Sequence, residues 1–283
     1  MKIQFPIIVI AAVLACSDKQ SSVAELTDQR IKRLINQFSQ PDWPMVYTAK
    51  DTLESLEHRS LPYLFDMLTN DNTFVKLSNT ADLIYPGATE FYGHGWVIDY
   101  DLDWLQIRAG WAIEDITFQN FGFREYKITE EILFEIEKDT ALYTKYLETG
   151  TYDLKVSPDA KRKIKETTAK ALQWWKENRL SWTRLEGIQG AIGSHDTRRV
   201  MDALQYLRFG DHCITGLDRG YFVEKIEPII VELTESNNID IREDARLILE
   251  DVHADNTEDE DGVKYFSELS DKCWQENILQ QSI

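Results

Sequence analysis

Almost throughout the chain after Val23 the apolar residues return with a helical period, in short blocks divided by turn signals. Ala24, Ile31, Leu34, Ile35 and Phe38 fall on one face of a first helix. Asp42-Trp43-Pro44 opens a second, with a capping carboxylate and a proline in the first turn, and Ala49, Leu53 and Leu56 form its stripe. After Arg59-Ser60, the run from Leu61 to Leu68 reads as a shorter helix ending at Asn70-Asp71-Asn72. Two short helices joined by a turn cannot bury their apolar faces alone, so such units must stack on one another. The chain is therefore expected to be all-α, built of antiparallel helix pairs.

The pairs share a recurring residue pattern. Asp103 is followed by Ile107-Arg108, Ala112 and Ile116; Asp196 by Arg199, Ala203 and Leu207; Asp240 by Ile241-Arg242, Ala245 and Leu249. Each set needs a capping Asp, a small residue where helices cross closely, and an Arg able to bridge back to a turn carboxylate. The pattern resembles HEAT repeats, best over 228–252 and loosely over 44–70. The resemblance implies an irregular α-solenoid as a single helical-repeat domain over 23–283. Two further helices are expected at Ile128–Leu147 and Asp159–Arg179. A closing one runs through Phe266, Leu269, Cys273, Trp274 and Ile278-Leu279, with the mixed surface of a terminal cap.

The N-terminal residues have a different logic. Met1-Lys2 is followed by an uncharged, mostly apolar run from Ile3 to Ala15, then Cys16 and the polar stretch Ser17–Ser22. A run of that length suits a signal-peptide core and is too short to span a bilayer, which takes roughly 20 apolar residues. Ala15-Cys16 resembles the lipobox of bacterial lipoproteins. That resemblance implies a signal peptide over 1–15, lipidation of Cys16, and a tether over 16–22 holding the body close to a cell-envelope membrane. In an exported chain the other two cysteines, Cys213 and Cys273, are either a disulfide or two buried thiols.

A formal net charge of −18 excludes nucleic acid as a natural partner, because such binding draws on Lys and Arg neutralising phosphates. It equally argues against polybasic attachment to a membrane. No cofactor is implied: the chain has no P-loop, no GxSxG, no HExxH and no dinucleotide fingerprint.

Residues 73–102 interrupt the helical rhythm. Tyr85 to Asp101 is rich in aromatics and carries Pro86, Gly87, Gly93 and Gly95, which favour an ordered loop over a strand at Trp96-Val97-Ile98. A long insertion of this kind is a place to look for function. His94 sits between two glycines, and Asp99, Asp101 and Asp103 place carboxylates on alternate residues. His94 with Asp99 and Asp101 would suit a metal-assisted hydrolase; the plainer reading is that Asp103 caps a helix while the other two are solvated. A second aromatic stretch, Thr117–Arg124, is expected to pack against the insertion. Together they would give a binding face of Tyr92, His94, Trp96, Tyr100, Phe121 and Phe123.

Other signals are weaker. Asp259, Asp261, Gly262 and Glu268 match part of a calcium loop, but Thr257 stands where its first carboxylate belongs. Ser194-His195-Asp196 are consecutive, whereas a triad assembles from separate elements. The expected function is a lipid-anchored scaffold at the membrane, binding a protein of the cell envelope or a ligand through a helical-repeat surface.

Overall fold

The computed structural model describes residues 27–85, 96–98, 100–125, 138–141, 143–144, 158–209 and 214–254. Cys16 and its tether, most of 128–147, and the segment from Phe266 to Leu279 lie outside those residues, as do Tyr92, His94, Asp99, Cys213, Cys273 and the calcium-loop match.

The described residues form a helical fold. Helix α1 (27–38) buries Ile31, Leu34 and Phe38. Helix α2 (Trp43–Ser55) starts where Asp42, with extended backbone, accepts the Met45 N–H at 3.2 Å, and Pro44 follows in the first turn. A short 3₁₀ turn (Glu57–Arg59) leads to α3 (Leu61–Asn70), whose Leu61, Leu64, Phe65, Met67 and Leu68 are buried against α4 (Leu105–Thr117). Nearly all of α4 is buried, which makes it the central element of the N-terminal part.

The stretch between α3 and α4 is not helical where it is described, and its backbone is bound to the helices around it. Val75 N–H donates to Asp103 at 2.7 Å, Ser78 N–H to Pro41 at 2.7 Å, and Leu105 N–H to Thr73 at 3.0 Å. Strands β1 (Leu83–Ile84) and β2 (Trp96–Val97) pair in parallel, Leu83 opposite Trp96. The short strand at Trp96-Val97 therefore forms, against the expectation of loop, because a strand already anchored at Leu83 offers it a ladder.

Helix α5 (Pro158–Asn178) packs on α3, with Trp175 stacked on Phe65 at 5.2 Å. Helix α6 (Arg184–Ile192) is started by a reciprocal capping box between Thr183 and Glu186. A tight turn at 193–196 folds α7 (Thr197–Phe209) back onto α6. Helix α8 runs without a break through Arg219–Tyr221, a π-helical segment Phe222–Ile226, and Glu227–Leu233, and α9 (Ile239–Ala254) packs on both α8 and α7. Ala112, Ala203 and Ala245, the small residue of each repeat, are all fully buried.

The buried apolar side chains form two separate clusters. One is built from α1–α5 with the 74–104 segment, the other from α6–α9. Among the described residues Phe118 is the only one before position 185 that belongs to the second.

Candidate functional site

Between the two cores lies a charged seam. It is assembled from Lys50 and Glu54 on α2, Glu114 and Asp115 at the end of α4, Arg124 just beyond, Arg184 on α6 and Asp202 on α7. Lys50 pairs with Asp115 at 2.7 Å and with Glu54, and its ammonium lies 4.4 Å from the centre of the Trp111 ring. Arg124 binds Glu114 through Nε at 3.1 Å, Asp115 through Nη1 at 3.1 Å, and Asp202 through both terminal nitrogens. Arg184 donates to the Glu54 carbonyl at 3.1 Å and stacks 4.7 Å from the centre of the Tyr206 ring.

Glu114 fixes the local backbone. One carboxylate oxygen accepts the N–H groups of Phe121, Gly122 and Phe123 at 2.7, 2.7 and 3.1 Å, so the 121–124 loop is wrapped around it. Gly122 enables the wrap with a φ of 105°. Phe123, at the centre of the loop, seats its ring on Gly110 of α4, where a Cβ would lie 2.1 Å from the ring.

The seam's charges compete with burial, and the outcome differs between them. Burial pushes Glu114, Asp202 and Glu54 above the usual carboxylate range despite Arg124 and Lys50. For Asp115 burial also pushes upward, but Lys50 and Arg124 overrule it and hold the group below that range. Burial acts against Lys50 too, yet Asp115 and Glu54 keep its ammonium above the ordinary lysine value.

A second polar hub lies under the non-helical segment. Arg108 is fully buried and donates to four carbonyls, of Leu102, Phe38, Gln40 and Val75, at 2.8 to 3.2 Å. Burial pushes it down to about 10, opposed by Asp103. Asp103 accepts from the Leu77 N–H and the Tyr85 hydroxyl, both at 2.8 Å, and faces Lys76 at 3.5 Å.

These contacts correct part of the sequence reading. Asp103 does not cap α4, where Trp104 occupies the N-cap position without a side-chain bond. Asp101, read as a metal ligand or a solvated carboxylate, is buried and accepts the Asp103 N–H at 2.9 Å. Asp196 does cap α7, through the N–H groups of Arg198 and Arg199. On α9 that task falls to Asn238 rather than Asp240. The repeat arginines reach carbonyls, not turn carboxylates: Arg199 donates to Phe118 at 2.8 Å and Arg242 to Ser236 at 3.0 Å. Phe118 ends α4 and Ser236 lies just past the end of α8, positions whose carbonyls have no donor within a helix.

Of the expected binding face, the described rings lie in the first core. Tyr100 is buried beside Trp111, Phe121 meets Trp174 edge-on at 5.8 Å, and Phe123 fills the space at Gly110. Among the described residues no group of three or more His, Cys, Asp or Glu side chains is placed to hold a metal ion. No described helix is long and apolar enough to cross a membrane.

A search of family models, of characterised proteins and of solved structures finds no match to this chain. The seam itself escaped sequence reasoning, because its members come from positions 50 to 202 and lack a common spacing. One signal was available: Lys50 and Glu114 fall on the buried faces of α2 and α4, where a charge requires a partner.

Proposed function

We propose that this chain is a lipid-anchored scaffold that presents a helical-repeat surface to a protein partner at the cell envelope. The observation that carries the reading is the recurrence of one device. At α4, α7 and α9 an arginine in the helix's first turns binds a backbone carbonyl from outside its own helix, and an alanine about one turn later is fully buried. A device repeated along a chain is how helical-repeat proteins stack identical units, and their extended faces serve as binding surfaces. The α6–α7 and α8–α9 pairs, joined through α7 and α9, support a HEAT-like arrangement there. Binding on this reading is a fold-level analogy; anchoring rests on Ala15-Cys16 and the apolar run before it.

Two arms test it in a bacterial host. The wild-type chain should incorporate labelled palmitate and fractionate with membranes, and Cys16→Ser should do neither; an unlabelled wild type overturns the anchor. Photo-crosslinking residues placed at the outward-facing Ile239 and Leu247 of α9 should trap discrete adducts in the membrane fraction. Absence of adducts there and at exposed Thr48 and Gln205 overturns the scaffold.

A further inference from the structure

The two cores meet through contacts of an unusual kind for one folded body. Their apolar clusters are separate except that the Phe118 ring, from the end of α4, is seated in the second. The other links named across the seam are polar: Arg124 to Asp202, Arg184 to the Glu54 carbonyl at 3.1 Å, Arg199 to the Phe118 carbonyl at 2.8 Å, and the Thr215 N–H to Glu57 at 2.7 Å. An apolar interface resists opening because water cannot replace what it loses. Polar links exchange for hydration with little net change, so relative motion is the default for bodies joined this way.

A second observation points to the same place. Among the described residues three other than glycine have left-handed backbone, and two of them, Glu57 at φ 49° and Phe118 at φ 52°, each supply an acceptor for the second body. Strained backbone of this kind persists only where surrounding contacts enforce it, and it collects at switch regions. Opening the seam would release both residues. Burial also leaves the Asp202 carboxylate uneasy in the closed seam, an effect that exposure to water removes.

We propose that the seam is a joint: the α1–α5 and α6–α9 bodies part as folded units about the 179–183 connection between α5 and α6, the Phe118 ring leaving the second cluster, with Arg124–Asp202, Arg199–Phe118 and Glu57–Thr215 as the clasp. The joint stands apart from the scaffold reading, since it concerns the isolated chain and involves no partner.

The test uses the full chain, comparing wild type with Asp202→Asn and with Asp202→Asn/Arg199→Met. Small-angle scattering reads the separation of the bodies, and hydrogen exchange by mass spectrometry reads their integrity. The variants should show a larger radius of gyration and roughly tenfold faster exchange at 214–218, while the interiors of α4, α7 and α9 exchange as in wild type. If the helix interiors accelerate together with 214–218, or if either variant fails to fold, the seam is part of one cooperative core and the joint is wrong. Unchanged scattering and exchange would equally overturn it.

Discussion

Arg108 shows at the level of one residue how the N-terminal core is organised. Its guanidinium collects four carbonyls from α1's end, the chain before α2, and both sides of the non-helical segment. A planar fork with five donors can do this, and a lysine ammonium cannot. Arg108→Met should lower unfolding free energy by about 3–5 kcal/mol, because four buried acceptors lose their donor. Arg108→Lys should recover less than half of that, both read from urea denaturation. The seam carboxylates predict a pH signature. Asp115 is held below the ordinary range, so its contribution is present above the unfolded value of about 4 and fades as pH falls through the lower folded value. Asp202 and Glu114 are raised, so they favour the fold when protonated and withdraw that support as pH rises through their folded values. Asp115→Asn should therefore lower the thermal midpoint at pH 6 and flatten the fall in stability below pH 4. A parallel pH curve, merely displaced, would show that Asp115 carries no shifted titration.

At the level of the element, α4 departs from what helix propensity favours. Gly110 stands in its interior, where glycine costs roughly 1 kcal/mol relative to alanine. The reason is Phe123, whose ring occupies the site of the missing Cβ, 2.1 Å away. Gly110→Ala should accordingly destabilise by about 1–3 kcal/mol through overpacking, opposite in sign to the propensity scale, and thermal melts of the purified variant check it. Most of the described helices were legible in the sequence, though α6 (Arg184–Ile192) was not read from it. Asp42 and Pro44 mark the start of α2, the Leu61–Leu68 stripe gives α3, and the alanines of the repeat lie buried as their pattern implied. What the arginines hold was not legible, since a carbonyl acceptor belongs to backbone geometry and any residue type can supply it. The aromatic stretches misled for a related reason: composition reports that rings at Tyr100, Phe121 and Phe123 must be covered, but not whether a ligand or the chain's own α4 and α5 cover them.

For the whole molecule, the two separate cores predict how it comes apart. Six of the eight tryptophans, Trp43, Trp104, Trp111, Trp174, Trp175 and Trp182, pack in or against the first core, and none of the described residues of the second is a tryptophan. Tryptophan emission thus reports mainly on α1–α5, whereas far-ultraviolet circular dichroism sums the helices of both. A chain with one cooperative core gives coincident transitions by the two probes. Here the bodies share a polar seam and, among the described residues, one apolar insertion from the first into the second, Phe118, so each keeps most of its apolar burial when the other unfolds. We expect the two urea curves to differ in midpoint, and Phe118→Ala to widen the gap by removing this apolar tie. Superimposable curves in wild type and variant alike would mean that the seam couples the cores as tightly as shared hydrophobic packing does.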